Sequence, residues 1–146
     1  MAIKLSMAEV LNQISKIKTK AGKIAHLQEH DNPAFRTVLR LIYDKEIEFL
    51  VPDSAPPWNY NKHTDAHTML YREARRLKIF IKGGGYDDLN QIKREGLFIG
   101  LLEDIENADA DLLVKHMISH TPCKGLTAKT LEEAFPGIFT SPMDMR

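Results

Sequence analysis

The chain has 146 residues and a mass of 16.6 kDa, of which 43% are hydrophobic and 27% charged. That is the size of one ordinary domain, and a chain of this length buries roughly 68–70% of its unfolded surface without cross-links. One cysteine excludes an intrachain disulfide framework and a four-cysteine zinc site, and equal totals of 20 basic and 20 acidic residues argue against a strong nonspecific polyanion binder.

The first sixteen residues carry no apolar core of signal-peptide length, and no run approaches a membrane span. The composition is that expected of a soluble intracellular globular domain with no membrane partner.

The elements follow in chain order. Ser6 and Glu9 form a capping-box pair ahead of a helix that places Val10, Leu11, Ile14 and Ile17 on one face. Thr19 caps a second helix over about 20–30, with Ala21, Ile24 and Leu27 inward. Asn32-Pro33 combines a capping amide with a proline at the first helical position, and Phe35, Val38, Leu39, Ile42 and Tyr43 follow at helical spacing. Residues 51–63 hold three of the seven prolines and read as an extended internal loop pinned by Trp58 and Tyr60.

Thr64 is expected to cap a helix over 65–81 with Met69, Leu70, Ala74, Leu77 and Phe80 inward, stopped by Gly83-Gly84-Gly85. A long helix over about 87–105 would bury Leu89, Ile92, Leu97, Ile99, Leu101, Leu102 and Ile105. Asn107 is expected to cap a sixth helix, with Leu112, Leu113 and Met117 inward, broken at Thr121-Pro122. A short helix from Thr127 to Ala134 ends at Phe135-Pro136-Gly137, and 140–146 form a tail. No alternating strand pattern competes, so the expectation is an all-α fold of six to eight helices in a single domain over 1–146.

The charge is unevenly spread. Residues 1–45 carry eight basic and four acidic groups, 62–82 six and two, and 113–131 three and none, whereas 83–112 carry eight acidic against two basic. Three basic islands result, at 16–23, 72–82 and 115–130. Each alone reads as a solvated helix face, but two or three converging on one surface would make a phosphate-binding track.

The six histidines form three i,i+4 pairs, His26/His30, His63/His67 and His116/His120, the last followed by Cys123. Two-histidine spacing is a weak metal cue without further ligands, so these read as surface or capping residues, and no metal or cofactor is expected. Gly83-Gly84-Gly85 lacks the lysine and the preceding strand of a phosphate loop. No nucleophile arrangement stands out.

Cys123 to Thr130, C-K-G-L-T-A-K-T, is the most informative segment. It opens a new helix, whose first N–H groups and dipole favour anions; Gly125 permits close approach, Thr127 and Thr130 offer hydroxyls, and Lys124 and Lys129 add charge. Lys18, Thr19, Lys20 and Lys23 repeat the pattern at the second helix. Capped helices with lysines in water remain the alternative.

Two stretches carry a family resemblance. Residues 9–52, with the leading I/L-L-N-x-I helix, the Thr-Lys turn and the helix bearing Arg36, Arg40, Leu41 and Tyr43, resemble the start of the DNA ligases of T-even bacteriophages. Residues 112–138, with a helix, a Cys-Lys-Gly turn, a short helix and F-P-G-I, resemble the later part of the same ligase domain. The P-P-W-N-Y loop, the M-L-Y-R-E-A-R-R-L helix, I-K-R-E-G-L-F-I-G-L-L-E-D-I and K-G-L-T-A-K-T-L-E-E-A-F-P-G-I-F also resemble small uncharacterised proteins of T-even-like phages, including those of cyanobacteria.

The ligase resemblance implies an all-α, ligase N-terminal DNA-binding-domain-like fold that clamps duplex DNA through phosphates and the minor groove. It implies DNA contacts at Lys18, Thr19, Lys20, Lys23, Lys124, Gly125, Thr127, Lys129 and Thr130, and residence in the cytoplasm of an infected bacterium. The chain has no K-x-D-G motif and ends where such ligases enter the linker to their catalytic domain. The expectation is therefore a noncatalytic, sequence-independent duplex-DNA-binding module. The alternative is a protein–protein adaptor for phage or host replication or transcription proteins, suggested by the acidic stretch 87–111 and the zero net charge. A small metal-dependent hydrolase is a third, weaker reading, resting only on the histidine pairs.

Overall fold

The structure is a computed structural model, and it describes residues 5–51 and 69–139. The proline-rich loop, Trp58, Tyr60, Thr64, His63, His67 and the 140–146 tail lie outside those residues. Helix α1 spans Met7–Lys16, α2 Lys20–Glu29, α3 Pro33–Tyr43, α4 Met69–Glu73, α5 Gln91–Asp104, α6 Asn107–Leu112 and α7 Ala128–Ala134. A 3-10 stretch, Ala74–Phe80, continues α4, and a π-helical turn, Leu113–Met117, continues α6. Among the described residues there is no strand, only an isolated antiparallel bridge between Phe49 and Ile81. The fold is all-α, with seven α-helices in these residues.

The helix starts follow local hydrogen-bond chemistry. Ser6 Oγ accepts from Glu9 N–H, Thr19 Oγ1 from Gly22 N–H, Asn32 Oδ1 from Ala34 N–H and Thr127 Oγ1 from Thr130 N–H. Each satisfies a donor that the first helical turn leaves open.

Helix α3 supplies the centre of the core: Phe35, Val38, Leu39, Leu41 and Ile42 are all buried. The α4 and 3-10 segment packs on it with Leu70, Ala74, Leu77 and Phe80 buried. The last three of these are spaced by three, so a helix of three residues per turn stacks them on one face. That spacing explains why the expected α-helix tightens after Glu73. Gly83 and Gly85 then turn the chain with φ of 83° and 97°.

Helix α5 begins later than expected, because Asn90 Oδ1 accepts from Ile92 and Lys93 N–H. Asp87, near the expected start, instead accepts from Gly83 N–H. Ile92, expected in the core, is 81% exposed, and Arg94 takes the inward position at 3% exposure. The guanidinium donates to the carbonyls of Ile79 and Tyr86 and to Gln91 Oε1, tying the glycine turn to α5. Ala21, also expected inward, is exposed. Helix α6 is capped by Glu106 rather than Asn107, since Glu106 has extended backbone and its carbonyl accepts from Ala110 N–H.

Helices α1 and α6 meet through a buried carboxylate. Asp109 Oδ1 accepts from Ala8 N–H at 2.8 Å. Asp109 Oδ2 and Glu106 Oε2 are buried without a hydrogen-bond partner. Burial first, then the nearby Glu106 and Glu9 carboxylates, push the Asp109 carboxyl up to about 7, against the opposing pull of the Ala8 bond. Among the described residues, no helix is long and apolar enough to cross a membrane.

Candidate nucleic-acid interface

Two lysine-bearing turns, far apart in sequence, meet where α7 packs on α2. Lys23 Nζ donates to the carbonyl oxygen of Gly125 at 2.5 Å. Gly125 lies so close to the end of α1 that a Cβ there would stand 2.9 Å from Ser15 Cα, and its φ of +76° suits glycine. The basic islands 16–23 and 115–130 therefore adjoin. The third, 72–82, packs on α3 and α5 instead, with Arg76 paired to Glu73 and Asp104 and Lys82 3.7 Å from Glu48.

The turn that carries Lys124 is anchored from three sides. Cys123 and Leu126 are buried beneath it. Tyr43 Oη accepts from Cys123 N–H at 2.9 Å and donates to Leu126 O at 2.7 Å. Burial raises the Tyr43 phenol well above its usual range and pushes the Cys123 thiol up to about 11, so the thiol is protonated at neutral pH. Arg40, on the same helix as Tyr43, bonds Asp44 and the carbonyl of Phe139, and Arg36 pairs with Asp31 at 2.8 Å. These three residues of the resemblance motif thus brace the chain. Tyr43 in particular braces the lysine turn, a role its position in sequence did not reveal.

The nine expected contact residues divide by what already occupies them. Lys18, Lys124 and Lys129 are exposed and carry no ion pair among the described residues. Lys20 is held by Glu133 at 2.6 Å, and Lys23 is engaged with Gly125. The hydroxyls of Thr19 and Thr127 serve as caps. Thr130 is buried and its hydroxyl lies 2.9 Å from that of Thr127, so it braces the start of α7 and does not reach solvent. Any phosphate contact at this turn must therefore come from Lys124, Lys129 and the exposed Gly125 backbone.

Beside the Lys124 turn, an open cleft of about 300 Å³ runs between α1 and α6. Asn12, Ser15, Asp111, Lys115, His116 and Lys124 supply its polar lining. Lys115 is exposed and adds a cation to the same surface. Sequence spacing could not assign Asn12, Ser15 and Lys115 to one cleft, because it depends on how α1 docks on α6.

Among the described residues, the His116/His120 pair separates. His116 Nδ1 lies 3.0 Å from Thr121 O, whereas the His120 ring turns inward to Ile42 O and Ile47 O, so that pair and Cys123 do not share a site. The His26 and His30 rings stay together, with centroids 4.7 Å apart.

Residues 10–120 match the model of DUF6433, described as a family of unknown function. No curated protein matches the chain.

Proposed function

The chain belongs to the DUF6433 family, and we propose that it is a noncatalytic module that binds duplex DNA through its phosphates, independently of base sequence. The observation that supports this reading is the Lys23–Gly125 hydrogen bond, which makes neighbours of the Lys18–Lys20 and Lys124–Lys129 segments. Lys115 and Lys124 line the cleft, and Lys18 and Lys129 are exposed on the adjoining segments, which supports a cationic contact surface there. Phosphate contacts position a protein on DNA without reading bases. The resemblance to the N-terminal domain of T-even phage ligases supports the same ligand, and the missing K-x-D-G motif removes the lysine such ligases use for nucleotidyl transfer. The proposed setting is the cytoplasm of an infected bacterium.

The test is a titration of fluorescent nicked duplex at two or more salt concentrations. For about four to six neutralised phosphates, the log–log salt slope is about −3.6 to −5.4 and the affinity at physiological salt is micromolar or weaker. Failure to bind duplex at low salt rejects the reading.

One observation favours the adaptor alternative: Ile92, 81% exposed, and Tyr86, 40% exposed, stand on the acidic stretch 83–112. Pull-down with and without nuclease separates the two. Partners lost with the DNA support the clamp, and partners that survive support the adaptor.

A further inference from the structure

The last turn of α2 gathers three metal-ligating side chains that the DNA reading does not use. His26, Glu29 and His30 stand at i, i+3 and i+4, and one donor atom from each lies within 4.8 Å of the other two. The spacing puts all three on one helix face.

Two further features suit this cluster to a cation. First, His26 Nε2 lies 2.9 Å from Gln13 Oε1 on α1, so the amide oxygen holds the proton on Nε2. That leaves the Nδ1 lone pair facing Glu29 Oε2 at 3.8 Å, too long for a hydrogen bond. A tetrahedral ion with bonds of about 2.0–2.2 Å holds its ligands roughly 3.3–3.6 Å apart, so a small side-chain adjustment closes this pair onto one ion. Second, the helix C-terminus carries partial negative charge from its open carbonyls, which favours a cation.

From this geometry we propose that His26, Glu29 and His30 bind a divalent transition metal of the zinc class, with Gln13 orienting the His26 ring. Two imidazoles and a carboxylate form a borderline-soft donor set that suits zinc better than calcium or magnesium, which take oxygen ligands. Three protein ligands leave one position for water. Because Gln13 belongs to α1, the bound ion braces the packing of α1 on α2. This inference stands apart from the DNA reading, since none of its residues lies on the lysine turns.

The experiment titrates zinc chloride into tag-free protein stripped with chelator, followed by calorimetry. The expected result is one zinc ion per chain. His26→Asn, His30→Asn and Glu29→Gln should each weaken binding at least about tenfold, and Gln13→Leu by about 10–100-fold, with the far-UV circular dichroism unchanged. His116→Asn should leave binding unaltered. Glu29 is 72% exposed, so its replacement does not threaten the fold. Absence of one-to-one zinc binding overturns the site. So does zinc binding that the His26, His30 and Glu29 variants leave intact, because the ion then sits elsewhere.

Discussion

Lys23 and Gly125 are 102 residues apart in sequence and 2.5 Å apart in space, ammonium to carbonyl oxygen. The bond ties the first turn of α2 to the loop that leads into α7. It also turns Lys23 from a surface charge into a brace for a neighbouring cationic turn. The backbone at Gly125 is expected to contribute more to this junction than the ion–dipole contact does. Gly125→Ala would have to relieve a Cβ at 2.9 Å from Ser15 Cα while holding φ near +76°. Its expected destabilisation is about 2 kcal/mol or more. Lys23→Met leaves an exposed carbonyl that water can solvate, and is expected to lose about 1 kcal/mol or less. Urea unfolding of the two variants checks the order.

Lys124 and Lys129 are exposed and unpaired among the described residues. Lys124→Glu with Lys129→Glu is therefore expected to abolish duplex binding at low salt while the helical circular dichroism stays intact. Equal binding by the variant and the parent protein would remove these lysines from the interface.

Tyr43 lets the Lys124 turn be weakened from beneath. Tyr43→Phe strips the partner from Cys123 N–H and from Leu126 O. Each lost partner is worth about 1–3 kcal/mol at a buried position. The variant should unfold at lower urea and, because the Lys124 turn loosens, should bind duplex more weakly although no cation has changed. Anisotropy at a temperature where both proteins are folded measures this.

Asp109 makes stability depend on pH with an unusual sign. Its carboxyl titrates at about 7 when folded, against 3.8 for the free side chain. Between those values the folded chain holds a proton that the unfolded chain has released, so this group's contribution falls as pH rises, levelling off above 7. The full loss has an upper bound of about 4 kcal/mol. Asp109→Asn keeps the acceptor for Ala8 N–H and cannot ionise. The stability of the Asn variant relative to the parent should therefore rise between pH 4.5 and about pH 7 and level off above it, as read by urea unfolding at each pH.

His120 closes its helix in the left-handed region, with φ of 53°. Thr121 N–H donates to His116 O and His120 N–H to Met117 O, the paired bonds that glycine usually terminates. The ring repays the strain: its nitrogens lie 3.2 Å from Ile42 O and 2.7 Å from Ile47 O, and it packs on Phe49. His120→Gly removes both strain and ring, whereas His120→Ala removes only the ring. The expected order of stability is parent, then glycine, then alanine, with about 1 kcal/mol between the last two. Thermal melts of the three proteins establish it.

Four helix starts were readable because their determinants are local. Ser6, Thr19, Asn32 and Thr127 each accept a bond from an N–H two or three residues on. The core faces of α1, α3 and the 3-10 stretch follow from apolar spacing for the same reason. Spacing failed at Ile92, where periodicity pointed inward but Arg94 occupies the interior. An arginine is buried there because Ile79 and Tyr86 present carbonyls that only a multi-donor side chain can satisfy together. Those carbonyls belong to the chain before α5, so no window over α5 alone contains the reason.

The candidate site divides along the same line. Which residues could meet an anion was legible, since lysines beside capped helix starts are a local pattern. Which of them are available was not. Thr130 is withdrawn by burial, Lys20 by Glu133 and Lys23 by Gly125. Each withdrawal depends on where α7 docks on α2.

The amino-acid order alone determined that the chain is helical, where most of its helices begin, and which segments are basic. Caps and periodicities act within a few residues, so they are written into the local chain. The tertiary structure alone decided that the turns at 18–23 and 124–130 adjoin while the basic stretch 72–82 packs elsewhere, and that Tyr43 supports one of them from below. Those relations arise when buried side chains of distant helices share one core, and local spacing carries no record of that packing.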